Sequence, residues 1–202
     1  MRILASLSLV LLASCSKLLG IEDPHPGDGM PMPPCTPVIN ELQTGGTVSP
    51  ADEWIELYNG CPDAVDVTGW TLVYRGANVT GPTDSTVLVP LKETMAPHAF
   101  RLYAGGTYLG ARDDIWTNTN LPNGQIGRQD GAVGLRDSNH ALVDALAYGA
   151  VMPGHPFIET QALGPMSNGM SAARSVDGAD TNNNSVDFKI LAAPTPGTSN
   201  IP

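Results

Sequence analysis

An antiparallel β-sandwich is the fold class this sequence predicts, and three observations lead to it. Apolar residues recur in short alternating runs, the period of half-buried strands. The runs are punctuated by 22 glycines and 18 prolines, about a fifth of the 202 residues, so turns are frequent. No window sustains a capped helical period; a single helical turn is expected near "NGMSAARS" (168–175). Many short strands split by turn residues bury their apolar faces best by stacking as two sheets.

The first element is not a strand. "MRILASLSLVLLASC" places one cation, Arg2, ahead of an apolar run from Ile3 to Ala13. That run is too short to span a bilayer and suits an export signal. Its end, Leu12-Ala13-Ser14-Cys15, resembles the lipobox of bacterial lipoproteins. The resemblance implies that residues 1–14 are a removed signal peptide and that Cys15 is acylated through its sulfur. It also implies that Ser16 favours the outer membrane. The alternative is an ordinary signal peptide with Cys15 incidental.

Cysteine arithmetic agrees with lipidation. Three cysteines in an exported chain leave one over, and with Cys15 acylated, Cys35 and Cys61 remain as a pair for an oxidising compartment. A bridge between them closes a loop whose chain entropy is worth about 3.5 kcal/mol. The other readings are two free thiols or a metal site, the latter without any CxxC or Cys/His spacing. Losing Arg2 with the signal takes the formal charge from −10 to −11. Such a surface repels phosphate backbones and anionic headgroups, so no nucleic-acid partner is expected and lipid must supply the membrane affinity.

Residues 15–37 form the next block, a lipidated cysteine followed by a tether. Six of the fourteen residues in "PHPGDGMPMPPCTP" (24–37) are proline, which favours an extended form reaching roughly 70 Å. From Val38 to Asn200 the pattern is that of one strand-rich domain. Strands are expected in "VINEL" (38–42), "EWIELYN" (53–59), "VDVTGWTLVY" (65–74), "TVLVP" (86–90) and "AFRLYA" (99–104). "AVGLRD" (132–137) and "ALVDALAYG" (141–149) flank the turn residues "DSNH" and read as a hairpin. Residues 150–170 read as a long loop, and the strands between 74 and 128 are the least defined.

Within "DEWIELYN" two glutamates flank an apolar pair. Alternation puts Glu53, Ile55 and Leu57 on one face and Trp54, Glu56 and Tyr58 on the other. The two acids therefore lie on opposite sides of the sheet and cannot flank one scissile bond. Glu53 is expected near the rim and Glu56 on the outer face between two aromatic rings. Trp54, Glu56 and Tyr58 are the candidate binding strip for polysaccharide or protein; the alternative is that a loop covers them.

The ordered pieces "VINEL", "DEWIELYN", "VDVTGWTL", "GAVGLRDSNHALVDALAYG" and "SAARSVDGADTNNNSVDFKILAAPTPGTSN" resemble the lamin tail domain family, over about 160 residues. The resemblance implies an immunoglobulin-like antiparallel β-sandwich with a binding or scaffolding role and no catalytic residues of its own. Within it, Trp70 after Gly69 packs across the sandwich, Gly69 allows a sharp bend, and "TPG" (195–197) closes the domain.

Catalysis finds little support: His25, His98, His140 and His155 form no HExxH pattern, and no GxSxG elbow occurs. For a metal, "DGADTNNNSVD" offers Asp177, Asp180, Asn182, Asn184 and Asp187, oxygen donors suited to calcium. It lacks the glycine and glutamate of an EF-hand, and the alternative is an Asx-turn network that satisfies loop backbone groups. No other cofactor is indicated. The sequence thus predicts a non-catalytic envelope lipoprotein, at the outer membrane or cell surface. It would be held by its lipid and bind an envelope protein or polysaccharide. The second reading is a calcium-stabilised accessory subunit of a secreted hydrolase or nuclease.

Overall fold

A computed structural model of the chain describes residues 35–79, 81, 86–116, 121 and 125–201. The signal at 1–14, the lipidation at Cys15 and the tether up to Pro34 lie outside the described residues. In chain order the strands begin with β1 (Val38–Thr44), β2 (Glu53–Tyr58), β3 (Val65–Asp66), β4 (Thr71–Arg75), β5 (Thr86–Pro90) and β6 (Thr94–Met95). They continue with β7 (Phe100–Gly105), β8 (Asp114–Trp116), β9 (Gly131–Arg136), β10 (Leu142–Tyr148), β11 (Ser171–Arg174) and β12 (Phe188–Leu191). One helical turn, α1 (Asn184–Asp187), precedes β12.

Six strands form one sheet in the order β12-β11-β1-β2-β7-β8, and four form the other, β10-β9-β4-β5. A two-stranded ribbon, β3-β6, completes the set. Every pairing is antiparallel except β7–β8. Ile39, Leu42, Ile55 and Leu57 of the larger sheet pack inward with Leu72, Tyr74, Val133, Leu135, Leu146 and Tyr148 of the smaller. Each fully buried side chain of this size contributes about 1.5–3 kcal/mol, which is what holds the sheets face to face.

Differences from the sequence reading have local causes. The run 65–74 is two strands, because Gly69 adopts φ +83° and Trp70 N–H closes a turn on Val67 O (3.0 Å). The break lets β3 leave for the ribbon while β4 joins the four-stranded sheet. Trp70 still packs against the interior, half-buried. The helical turn expected near 168–175 is a strand instead: Ser171–Arg174 pair with β1 on one side and β12 on the other. Alanine's helical preference is a few tenths of a kcal/mol per residue, less than two ladders of hydrogen bonds and full burial supply. The turn between β9 and β10 is built by Asp137, whose Oδ1 accepts the N–H groups of Asn139 (2.9 Å) and Ala141 (2.8 Å). Cys35 and Cys61 are bridged, Cα atoms 5.7 Å apart, which fastens the chain just before β1 to the loop just after β2.

Candidate functional site

Strand β2 carries the two glutamates to opposite faces of the sheet, as alternation requires, but both are buried. Glu53 is not at a rim: it is fully buried, with no hydrogen bond of regular geometry to either oxygen among the described residues. Burial pushes its pKa up to about 8, and the Ile126 N–H and the charge of Arg128 offset only part of that. Glu56 does face outward from the sheet, yet it too is fully buried.

What covers Glu56 is the C-terminal segment after β12. Gly197 N–H donates to Glu56 Oε2 (2.5 Å) and Asn40 Nδ2 to Glu56 Oε1 (3.1 Å). Glu41 stands directly across the β1–β2 ladder from Glu56. It accepts from Thr195 N (3.1 Å), Thr195 Oγ1 (3.0 Å) and Ser171 Oγ (2.5 Å). Asp177 Oδ1 takes Asn200 N–H (3.1 Å), and Asn200 Nδ2 reaches Asn40 O (3.2 Å) and Arg174 O (3.0 Å). Three carboxylates thus hold a C-terminal strap through backbone and hydroxyl donors. Burial, with Glu41 and Asp177 nearby, pushes Glu56 up to about 8, and burial raises Glu41 in the same direction.

Between the sheets lies a second polar group, centred on Arg174. Its Nη2 meets both carboxylate oxygens of Asp144 at 2.9 Å, with both side chains fully buried, so the pair joins β11 of one sheet to β10 of the other. Nε donates to Ile39 O (2.7 Å), Nη1 to Ala179 O (2.5 Å), and the guanidinium lies 4.5 Å over the Phe188 ring. Asp180 and Asp187 approach Nη1 at 3.5 and 3.6 Å. Arg174 is therefore the cation of this region.

The five oxygen donors of 177–187 separate into different tasks. Asp177 holds Asn40 and Asn200; Asp180 accepts from Asn182 N (3.0 Å), and Asn182 is left-handed at φ +55°. Asn184 turns inward and bonds Ala147 N (3.0 Å), Ala145 O (2.8 Å) and Glu159 (2.8 Å). Asp187 accepts from Thr181 N (3.0 Å), Thr181 Oγ1 (2.7 Å) and Asn183 N (3.3 Å). Among the described residues, the carboxylates able to meet at one point are Asp144, Glu159 and Asp180, with oxygens within 4.8 Å of one another. Asp144 is already taken twice over by Arg174, which leaves a poor donor set for calcium.

The aromatic strip is likewise redistributed. Trp54 is 1% exposed, packed with Leu102, Ala104 and Tyr108, while Tyr58 is half-buried with its ring 4.6 Å from Phe100. Register pairs Tyr58 with Phe100, Glu56 with Leu102 and Trp54 with Ala104, so these side chains form one outward row across β2 and β7. Over this row run the strap on one side and the β7–β8 loop on the other. Two clefts remain. One, about 320 Å³, is bounded by Trp54, Tyr108, Asp52, Gln43, Pro194 and Pro196. The other, about 400 Å³, includes Phe100, Leu102, His98, Arg101, Arg112 and Pro196. Pro196 is a wall of both. Val48 and Leu109, next in the chain to the lining residues Thr47 and Tyr108, are 94% and 95% exposed.

Sequence reasoning missed Glu41, Asp144 and Arg174. A signal for Glu41 existed: Ile39 and Leu42 both need the interior yet lie three apart, which a regular strand forbids. The bulge between Ile39 and Glu41 resolves this and turns Glu41 outward beside Glu56. Asp144 and Arg174 sit 30 residues apart on different sheets, and nothing local announces their pairing.

Comparison with known proteins agrees with this architecture. The Lamin Tail Domain family model matches residues 31–150. Among solved structures, the chain is similar to a DUF4876 family protein from Bacteroides thetaiotaomicron. The TM-score is 0.52 at 13% identity, over 80% of this chain and 72% of that one, a likeness of fold. No curated protein matches the chain.

Proposed function

This chain belongs to the lamin tail domain family, and from that premise we propose that it is a non-catalytic binding domain displayed on the cell envelope. The observation that carries the proposal is the use made of the outward carboxylates. Glu41, Glu56 and Asp177 are engaged in fastening the strap, and Glu53 is on the other face of the sheet. What stays open on that face is a pair of clefts with apolar floors and polar ends, the form of a binding surface. In this reading no metal or cofactor takes part. The scatter of the 177–187 donors and the presence of Arg174 speak against the calcium-stabilised hydrolase subunit.

Presentation depends on the amino terminus. Residues 1–14 export the chain, Cys15 carries lipid, and the Pro-rich tether holds the domain away from an outer-membrane or surface bilayer. The Cys35–Cys61 bridge supports an oxidising compartment. Its partner is an envelope protein or polysaccharide and not a nucleic acid, given a net charge of −10. Two experiments test the proposal. Cys15→Ala should move the chain from the membrane to the soluble fraction; continued sedimentation with membranes would refute the anchor. Retention of the chain on isolated envelope material should fall in Tyr108→Ala, and unchanged retention would refute the clefts as the binding surface.

A further inference from the structure

The outward row of β2 and β7 has a chemistry that narrows the ligand beyond "protein or polysaccharide", and this narrowing rests on the reading of that face as the binding surface. We propose that the two clefts bind one extended, mostly neutral glycan that carries an isolated carboxylate, with its uncharged sugars against the half-buried Tyr108 ring and its acid at Arg101 and Arg112.

Length and volume come first. From Phe100 to Ala104 the row runs about 13 Å at the usual strand rise, longer than one sugar ring. Clefts of about 320 and 400 Å³ fall in the range of small-ligand sites, and they share Pro196 as a wall. An extended chain of a few rings therefore suits the face better than a compact ligand.

The walls then discriminate between a glycan and a peptide. An extended peptide gains affinity from a strand edge that offers unpaired N–H and C=O groups. Here β7 is paired on both sides, with β2 and with β8. The strap wall presents Pro194 and Pro196, which have no N–H to give. Neither the β7 floor nor the proline wall can form a main-chain ladder. What the first cleft does offer is the half-buried Tyr108 ring beside Trp54, together with the side chains of Gln43, Thr47 and Asp52. An aromatic face is electron-rich and accepts the C–H face of a sugar ring. Amide, hydroxyl and carboxylate groups match hydroxyls that both donate and accept.

Charge fixes the acid. The chain as a whole carries −10, yet the second cleft is lined by two cations, Arg101 and Arg112, against one acid, Asp113. Arg101 gives Nη1 to Phe100 O (3.1 Å) and lies 3.8 Å from Asp113, while Arg112 gives Nη1 to the Tyr108 and Gly110 carbonyls. Those hydrogen bonds use Nη1 of each guanidinium, and Nη2 of both makes no hydrogen bond among the described residues and can meet a ligand carboxylate. A polymer acidic at every unit would be repelled by Asp52 and by the rest of the surface. An isolated carboxylate meets the one cleft where cations outnumber acids, Arg101 and Arg112 against Asp113.

Calorimetric titration of the intact chain in detergent tests this with three probes. They are a xylo-oligosaccharide bearing one glucuronic acid, the same oligosaccharide without it, and an extended hexapeptide with one glutamate and capped ends. The uronate-bearing sugar should bind at least ten-fold more tightly than the neutral one. In R101A/R112A that advantage should vanish, while Tyr108→Ala should weaken both sugars about ten-fold. Equal binding of the two sugars, or no binding of either, overturns the proposal. Binding of the peptide as tight as that of the uronate sugar, and lost in Tyr108→Ala, also overturns it but leaves the face as the binding surface. Uronate binding that ignores all three substitutions sinks the face itself. R101A/R112A should leave the Tm nearly unchanged; Tyr108→Ala uncovers part of Trp54 and lowers it, so that variant is titrated at a temperature where circular dichroism shows it folded.

Discussion

The two sheets are closed on their outer sides by opposite means. On the four-stranded sheet, Val73, Ala132, Ala145 and Ala147 are covered by Phe157 from the loop after β10. That ring is 1% exposed, lies 5.5 and 5.4 Å from the guanidinium carbons of Arg75 and Arg136, and meets the His155 ring edge-on. On the six-stranded sheet the cover is the C-terminal strap, held by hydrogen bonds to Glu41, Glu56 and Asp177. An apolar seal draws its stability from buried area and not from matched donors and acceptors. A polar latch holds only where donors meet acceptors, so it leaves clefts between its points of attachment and responds to pH. The open, titratable side is the one proposed above to bind.

Removing the apolar seal should have the largest effect. Phe157→Ala is expected to cost about 3–5 kcal/mol, read as a lower denaturation midpoint at unchanged m-value, and the loss should be the same at pH 5.5 and 8.5. Gly134 shows how tightly the ring is seated, since a Cβ there would lie 3.0 Å from it. A pH-dependent loss in Phe157→Ala would erase the contrast between the faces.

The second effect is the titration itself. Glu53 and Glu56 are each pushed up to about 8 by burial, and burial together with Asp144 pushes Glu159 to about 8 as well. A folded-state pKa above the unfolded value of 4.5 means that folding takes up protons between the two. The stability contributed by these groups is fully present below about pH 4.5 and is lost as pH rises through about 8. The domain should therefore unfold more easily at pH 8.5 than at pH 5.5, by on the order of 2–4 kcal/mol. Glu53→Gln and Glu56→Gln should each flatten this slope. A midpoint that rises with pH over this range would contradict the burial of both acids.

A smaller effect should separate the latch from the interior. At pH 5.5, Glu56→Ala takes the acceptor from Gly197 N–H and Asn40 Nδ2 and should cost about 1–3 kcal/mol. Amide exchange at Gly197 should quicken in Glu56→Ala and stay unchanged in Glu53→Gln, because Glu53 touches no part of the strap. Equal acceleration in both would mean that the strap is held by the fold as a whole and not by its carboxylates.

This contrast also explains what could be read from sequence. The β2 alternation placed Ile55 and Leu57 inside and split Glu53 from Glu56, because strand period is a local property. The Asp137 turn was legible for the same reason. That Glu56 is buried was not, since its cover arrives 141 residues later. Trp54 looked exposable by the same logic, and Tyr108 and Pro196 changed that. The Asn/Asp-rich stretch 177–187 announced a loop of Asx geometry, and it is one. Its orientation depends on Arg174, whose partner Asp144 lies on the opposite sheet. Local pattern carries the elements; cover and charge pairing come from distant residues.

The smallest effect belongs to that loop, where the two faces meet. Calcium at Asp144, Glu159 and Asp180 would have to displace the Arg174 guanidinium from Asp144, leaving a buried cation without its counter-charge. Breaking such a pair costs about 3–5 kcal/mol, more than one partly exposed acid and one raised-pKa glutamate can return. Tm should therefore be the same in EDTA and in millimolar calcium chloride, to within the equivalent of about 0.5 kcal/mol. Arg174→Met removes the resident cation and leaves the acids facing one another. If calcium then raises the Tm of Arg174→Met but not that of the parent chain, the guanidinium is what keeps the loop closed to metal. A calcium shift of equal size in both chains would show that the ion binds elsewhere on the loop, and that Arg174 does not guard it.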